Sequence, residues 1–402
     1  MVLSDEQPTS SDEPAGRGAA GGVGMSDGER AEAKRYGRLD LGCALADKAL
    51  DVTYLAVAAF LLARPIDRWL QEMNPLLRGD SSLHATLRLA EMFFIIMAIH
   101  IAVSFPLSFY SGHVLEHKFQ MSTQTFGRWL GRYLKRNLLA VVFSLVLVLG
   151  LYWLIWLTGG WWWLAAAAAF FVVSIVLGQL APVLILPLFY RIEKLDVPEL
   201  SERLARLAAG TGLSIEGVYR MDLSEETVKA NAMLAGLGRT RRVLLGDTLL
   251  SGFSSDEIEV IFAHEIGHHV RRHIRKMIVA GLIYSAAGFW VCDRLLAAWA
   301  TGGGDYAHLP VYTMPFVLFI LTVFAMLMEP LQNAVSRRFE RQSDRYALER
   351  TGLKAAYLSA FRKLAKLNKD DPNPHWLDVL LFHSHPPVAE RLAMAEETAD
   401  NE

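Results

Sequence analysis

Long uncharged runs alternate with polar stretches along most of this chain. Four runs contain no Asp, Glu, Lys or Arg, and they cover residues 92–110, 138–158, 161–190 and 309–328. Each is close to or above the roughly 20 residues that a helix needs to cross about 30 Å of hydrocarbon. A fifth run, 277–300, is interrupted by Asp293 and Arg294, and a sixth, 52–63, is short. The pattern therefore predicts six membrane helices.

The charges between these runs predict an orientation. The connection between the second and third predicted spans carries Lys118, Arg128, Arg132, Lys135 and Arg136. The connections after the third and fifth spans carry no Lys or Arg. By the positive-inside rule the basic connection is cytoplasmic. Residues 191–276 and everything after the last span then face the same side and can form one domain.

Residues 191–276 show strand and helix patterns in succession. The stretches SIEGVYRMD and RRVLLGDTLL alternate or run apolar, as strands do. Gly236 and Gly238 lie in the intervening NAMLAGLGRT and permit a tight connection, which predicts a β-hairpin. Ser254 and Glu257 then form a capping-box signature, and apolar residues recur at helical spacing from 258 to 266. The stretch HEIGHH is therefore predicted to lie within a helix.

Composition agrees with a membrane protein and excludes two other classes. The chain is 52% hydrophobic and 20% charged, and its mean hydropathy is +0.25. A net charge of −2 without a basic stripe excludes a nucleic-acid groove. Two cysteines are too few for a disulfide framework or a cysteine-rich zinc site. Residues 1–35 are rich in Gly, Ala, Ser, Asp and Glu, which predicts a disordered tail.

The stretch FAHEIGHHVRRH, residues 262–273, carries a zinc-hydrolase pattern. On a helix His264 and His268 are one turn apart, so both imidazoles can bind one Zn²⁺. Glu265 lies beside them and can accept a proton from a water molecule that the metal makes acidic. A catalytic zinc of this kind needs a third protein ligand.

Two places in the sequence are candidates for that third ligand. His273 follows His264 by nine residues, but metzincins place their third histidine at ten with a glycine before it, and Arg271 occupies the glycine position. We therefore reject His273 as a ligand. In RRFERQSDRYALE, Glu340 and Asp344 are one helical turn apart. One carboxylate can bind zinc while the other orients a ligand histidine, or both can belong to a solvated, ion-paired helix face.

Five segments together resemble a known family. They are PVLILPLFY (182–190), NAMLAGLGRTRRVLLGDTLL (231–250), EIEVIFAHEIGHHVRRH (257–273), SRRFERQSDRYAL (336–348) and HSHPPVAERL (383–392). In this order they resemble the integral-membrane zinc metalloproteases of the type-I CAAX prenyl protease family, relatives of the HtpX-like proteases. The resemblance implies a mainly α, polytopic membrane bundle of about six or seven spans, with a cytoplasmic-side α+β zincin-like domain.

The resemblance also implies a role for each matching residue and one Zn²⁺ per chain. The implied zinc ligands are His264, His268 and Glu340. Glu265 matches the general base, and Asp344 matches an acid that orients a ligand histidine. His385 matches a histidine that stabilises the oxyanion, although it can also act as a cap before two prolines. Asn231 and Ala232 match the edge strand that holds substrate, although Asn231 can also be an ordinary turn residue.

Some features depart from the family or stay open. After Glu116 and Lys118 the family's Gly-Phe-Asn is replaced by FQMSTQT, which leaves prenyl-peptide selectivity open. His113 and His117 are four residues apart and are either a second metal pair or two solvated histidines. His100, within a predicted span, is expected to pack or to line a cavity.

The expected organisation is a disordered tail (1–35), four N-terminal membrane helices (36–190), a soluble segment with the HExxH helix (191–276), two membrane helices (277–335) and a C-terminal segment that completes the zinc site (336–402). The expected function is a membrane zinc endopeptidase that acts on peptides or proteins, lipidated or membrane-associated, at the lipid bilayer. In a bacterium this would be the inner membrane, with the site on the cytoplasmic side. The alternatives are a heat-shock-type quality-control protease and a catalytically silent membrane scaffold.

Overall fold

The computed structural model describes residues 23–74, 79, 81–213, 215–236, 241–301 and 305–397. Its helices are α1 (Asp27–Val57), α2 (Ala63–Met73), α3 (Ser82–Phe109), α4 (Glu116–Lys118), α5 (Phe126–Thr158), α6 (Trp162–Leu180), α7 (Leu186–Phe189), α8 (Pro198–Ala208), α9 (Asp247–Gly252), α10 (Ser255–Val270), α11 (His273–Leu296), α12 (Met314–Thr351), α13 (Lys354–Asn368), α14 (Trp376–Leu381) and α15 (Val388–Glu397). Its strands are β1 (Ile192–Lys194), β2 (Ile215–Met221), β3 (Ala232–Ala235) and β4 (Arg241–Gly246).

The membrane part is a bundle of long apolar helices. Among the described residues, five continuous helical stretches are long and apolar enough to cross a membrane: Asp27–Met73, Ser82–Lys118, Phe126–Phe189, His273–Ala300 and Val311–Thr351. The third contains two predicted spans, because Gly159 adopts a φ of +53° between α5 and α6 and the two helices pack on each other. The predicted helical membrane bundle is confirmed, with its six spans inside these five stretches.

The first helix begins earlier than its polar composition predicted. Residues 1–22 of the predicted tail lie outside the described residues, but Ser26 and Glu29 form a capping box at the start of α1. Glu29 pairs with Lys366, and Glu32 pairs with Lys369, each at 2.7 Å, so α1 is held against α13. The prediction of disorder up to residue 35 is therefore wrong for residues 27–35. Tertiary ion pairs and a helix cap fix a segment that cannot bury a core by itself.

A four-stranded sheet packs on α10. Its order is β1-β2-β4-β3, and β3 is an edge strand. The predicted hairpin of SIEGVYRMD with RRVLLGDTLL is wrong, because these stretches form β2 and β4, which run parallel. The antiparallel partner of β4 is β3, which lies in the stretch predicted to be their connection. The second predicted strand is shorter than its apolar run, because the Asp247 carboxylate accepts backbone N–H bonds from Leu223, Ser224 and Thr248 and α9 begins there.

Helix α10 connects the sheet to the last membrane helix. The predicted capping box of Ser254 and Glu257 is present. Ile258, Phe262 and Ile266 pack in one core with strand residues and with α8. The opposite side of α10 packs along α12. This contact places the HEIGHH stretch of α10 beside the helix that carries Glu340 and Asp344.

Helix α12 carries both a membrane span and the predicted carboxylates. It runs for 38 residues from Met314 to Thr351 and ends at Gly352, whose φ of +64° closes the helix. The boundary predicted between residues 335 and 336 therefore falls inside one helix. Since a helix rises about 1.5 Å per residue, its last turns extend beyond the predicted span 309–328 to α10.

Candidate metal centre

Helices α10 and α12 approach each other closely at Gly267. A Cβ atom at this position would lie 2.9 Å from the Cα atom of Ser343, which is closer than real Cβ contacts come. Gly267 lies between His264 and His268, so the absence of its side chain lets both histidines reach α12. The close packing of α10 on α12 therefore requires glycine at position 267.

Gly267→Ala is expected to destabilise the chain by about 1–3 kcal/mol, because the added methyl group overpacks the helix contact. It should also weaken metal binding, because α12 moves away from the histidines. Gly281→Ala is the matched control, since nothing lies within 4 Å of a Cβ atom at Gly281 on α11 and alanine is the better helix former. Thermal unfolding and zinc titration of both variants check this. Equal stability and equal zinc affinity would contradict it.

The structure brings His264, His268 and Glu340 to one point. The two Nε2 atoms are 3.2 Å apart, and the Glu340 carboxylate oxygens lie 3.1 Å from His264 Nε2 and 3.2 Å from His268 Nε2. Ligand atoms around a tetrahedral zinc, each about 2.0–2.1 Å from it, would be about 3.3–3.4 Å apart. Two imidazole nitrogens and a carboxylate are also the ligand types that zinc prefers, so these residues fit the ion.

Asp344 and Arg391 fix His264 through Nδ1, the ring nitrogen that faces away from His268. His264 Nδ1 donates to Asp344 Oδ1 at 2.8 Å, and the buried Asp344 accepts two bonds from the Arg391 guanidinium, at 2.9 and 2.5 Å. Burial alone would lower the pKa of His264, but the hydrogen bond and charge of Asp344 raise it to about 9. The hydrogen bond from Nδ1 to Asp344 orients the ring with Nε2 towards His268. Arg391 was not predicted as a site residue, although it lies in the matching segment HSHPPVAERL.

A cleft of about 530 Å³ opens beside these residues. Its lining includes Glu265, His385, Asn231 and Ala232 as well as His264. Glu265 is half-buried on the face of α10 that lines the cleft. His385 Nδ1 lies 2.7 Å from Glu340 Oε2, and its side chain is 62% exposed. Glu265 and His385, predicted for catalysis, thus border the same space as Asn231 and Ala232, predicted for substrate binding, whereas Asp344 is not among its lining residues.

The first helix forms part of the same cleft. Tyr36, Gly37 and Asp40 line it from the N-terminal part of α1. The Tyr36 hydroxyl donates to Glu116, and Lys229 contacts both groups. No motif in the sequence marks these residues as part of the site.

The edge strand exposes backbone groups to the cleft. Gly246 N–H donates to the Asn231 carbonyl at 2.9 Å, so Asn231 pairs inward with β4. Backbone groups alternate in direction along an antiparallel strand, so the N–H and C=O of Ala232 point to the open edge. Ala232 faces Leu245 in this register. The edge can therefore accept another extended chain.

Several other candidate residues do not form metal sites. Among the described residues, the only group of three or more suitable side chains is His264, His268 and Glu340. Of the two alternatives for His113 and His117, solvation holds for His117, which is exposed, whereas His113 is half-buried. His117 bonds the carbonyls of His113 and Gln124 through its two ring nitrogens, and His113 lies among aromatic rings. His100 bonds Asp51 at 2.9 Å and packs on Tyr54, as expected of a packed residue.

Comparison with protein families identifies two matching models. The model of peptidase family M48 matches residues 194–399, about half of the chain. The model described as "CAAX prenyl protease N-terminal, five membrane helices" matches residues 25–191. The two models meet between the last N-terminal membrane helix and the sheet.

Curated relatives and a solved structure agree with these models. The chain is 30% identical over 320 residues to CAAX prenyl protease 1 of Saccharomyces cerevisiae, covering 74% of this chain and 70% of that protein. It is 29% identical over 314 residues to the uncharacterised metalloprotease YhfN of Bacillus subtilis, covering 76% and 72%. The crystal structure of Ste24p from S. mikatae has the same fold, with a TM-score of 0.78 and 24% identity over 92% of this chain and 89% of that one.

Proposed function

This chain belongs to peptidase family M48 and is a multi-pass membrane metalloendopeptidase, and from that premise we propose that it uses one Zn²⁺ held by His264, His268 and Glu340. The observation that carries the proposal is the convergence of these three side chains at 3.1–3.2 Å beside the cleft that Glu265 lines. A complete set of three zinc ligands argues against the alternative of a catalytically silent scaffold.

The proposed mechanism assigns one task to each group around the cleft. When bound, zinc supplies Lewis-acid activation of water and of the scissile carbonyl. Glu265 takes the proton of the attacking water and returns it to the leaving amine. His385 donates a hydrogen bond to the oxyanion of the tetrahedral intermediate. Asp344 keeps His264 in the orientation and tautomer that leave Nε2 unprotonated.

We propose that the site faces the cytoplasm. The basic residues at the start of α5, among them Arg128, Arg132 and Lys135, follow the positive-inside rule. Arg132 pairs with Glu226 in the segment before β3, and Lys135 donates to the Leu188 carbonyl, so this basic end lies against the soluble domain. In a bacterium the membrane would be the inner membrane.

The proposed substrate is a peptide that reaches the cleft from the membrane surface, and prenylated C-terminal peptides are the first class to test. Two observations support it: relatives named CAAX prenyl proteases align over most of the chain, and the membrane-crossing helix α1 lines the cleft. The divergent loop 119–125 lies next to the segment that leads to the edge strand β3. The backbones of Thr123 and Met121 form hydrogen bonds with residues 226 and 228.

The experiment compares three substrates on the purified full chain in detergent or liposomes: a farnesylated C-terminal peptide, the same peptide without the lipid, and an unfolded membrane protein. Faster cleavage of the farnesylated peptide supports the proposed substrate. Preference for the unfolded protein would instead support the quality-control alternative. Cleavage of none of the three, with zinc bound, would contradict the proposed substrates.

Ala232→Pro tests the role of the edge strand. Proline removes the N–H that points to the open edge but no bond of the β3–β4 ladder, so the fold should tolerate it. The loss of one substrate hydrogen bond should lower kcat/KM by about two- to tenfold, equivalent to about 0.5–1.5 kcal/mol. Met233→Pro is the contrasting variant. Met233 lies opposite Leu244 at a hydrogen-bonded position of the ladder, so loss of the Met233 N–H should destabilise the sheet. An unchanged kcat/KM for Ala232→Pro would argue against strand addition.

A further inference from the structure

His273, rejected above as a metal ligand, contacts a proposed ligand from the side away from the metal. Nε2 of His268 faces His264 and Glu340, each at 3.2 Å. Nδ1 of the same ring lies 3.1 Å from Nδ1 of His273. On its other side, His273 Nε2 lies 3.0 Å from Oε1 of Gln342. The three side chains therefore form a row that leads outward from the metal centre.

The proton positions in this row follow from the chemistry of its last member. The carbonyl oxygen of Gln342 only accepts, so His273 carries its proton on Nε2 and donates it there. Neutral His273 then has a lone pair on Nδ1, which accepts the Nδ1 proton of His268. Nε2 of His268 is consequently unprotonated, which is the form that binds a metal. The opposite arrangement would place the His268 proton on Nε2, where the metal has to bind.

A break in the helix brings His273 to this position. Five residues along a continuous helix correspond to a rotation of about 140° from the starting face, so the two rings would point apart. Here α10 ends at Val270, Arg272 adopts a left-handed φ of +58°, and α11 begins at His273. His273 is 1% exposed and stacks on Phe339 with centroids 4.3 Å apart and planes within 8°. Its ring is thus fixed in orientation.

We propose that His273 is a positioning residue that sets the tautomer of His268 for metal binding, with Gln342 setting the tautomer of His273. This inference rests on the proposed zinc centre. It gives His268 a hydrogen-bond partner, which the sequence did not predict. Each ligand histidine then has its own support: Asp344 with Arg391 for His264, and His273 with Gln342 for His268. The first support is charged and the second is neutral, so the second adds no charge to the centre.

The test is the zinc affinity of the full chain, measured by competition with a chromophoric chelator. His273→Phe keeps an aromatic ring on Phe339 but removes the acceptor, and it should raise the Kd for Zn²⁺ about ten- to hundredfold, as loss of such outer partners does. His273→Asn restores an acceptor near the Nδ1 position and should recover most of that affinity. His269→Ala is the matched control, because the side chain of His269 bonds Arg241 and is not one of the three converging side chains.

Two further measurements keep the inference falsifiable. Gln342→Leu leaves His273 in place and should also weaken zinc binding. In the Co²⁺-substituted protein, His273→Phe should shift the visible absorption bands, whereas His269→Ala should not. Wild-type affinity and spectrum in both His273→Phe and Gln342→Leu would overturn the inference. If Glu340→Ala also kept zinc, the proposed centre itself would be wrong, so the two failures are distinguishable.

Discussion

Replacing Glu265 with glutamine is expected to lower peptide cleavage by about 10²- to 10⁴-fold while zinc stays bound, because positioned acid–base groups contribute about that much. Glutamine has nearly the same shape but cannot accept the proton of the attacking water. Glu265 borders the cleft beside His264 and is not one of the three converging side chains. The expected signature is therefore a loss of kcat with one zinc per chain.

The matched control is Glu259→Gln on the same helix. Glu259 pairs with Arg203 at 2.7 Å, away from the cleft, so this variant should keep wild-type cleavage. Cleavage rates and metal content of both variants, measured on one preparation, provide the comparison. Cleavage by Glu265→Gln at the rate of the control would refute the proposed role of the carboxylate.

Replacing Glu340 with alanine is expected to remove both metal and activity. Glu340 is 4% exposed, and its two carboxylate oxygens contact His264 and His268, so its removal takes away one of the three converging ligands. Loss of a direct ligand should cost at least the roughly hundredfold affinity that loss of an outer partner can cost. Zinc content should fall well below one per chain.

Glu349→Ala provides the control on the same helix, because Glu349 is exposed beyond the site. It should bind zinc and cleave as the wild type does. Zinc retained by Glu340→Ala at wild-type affinity would show that a different residue supplies the third ligand.

Local pattern predicted the parts of this site that lie within one helix. The Ser254 cap and the apolar spacing of α10 place His264, Glu265 and His268 on a helix, and helical geometry alone puts the two histidines on one face. The uncharged runs likewise predicted the membrane helices, because length and hydropathy are the signals that the bilayer imposes.

Contacts between distant segments could not be predicted in the same way. Spacing left the choice between Glu340 and Asp344 open, and only the resemblance to a family assigned the two roles. The pairing of Arg391 with Asp344 joins α15 to α12, and no periodicity encodes it. His273 was misleading for a different reason: its relation to His268 depends on the left-handed Arg272, a local break that residue spacing does not reveal.

The tail was mispredicted because its stability is tertiary. Polar composition argued for disorder up to residue 35, yet Glu29 pairs with Lys366 of α13 and Glu32 with Lys369 just after it, more than 300 residues away. Those pairs place Tyr36 and Asp40 at the cleft. The membrane helix thus supplies part of the wall of the proposed active site.

The most direct test of the central claim is the zinc content of the purified full chain, measured by elemental analysis together with peptide cleavage by the same sample. The account predicts one zinc per chain, loss of cleavage when a chelator removes it, and recovery when zinc is returned. Cleavage that persists in a sample without bound metal would contradict it.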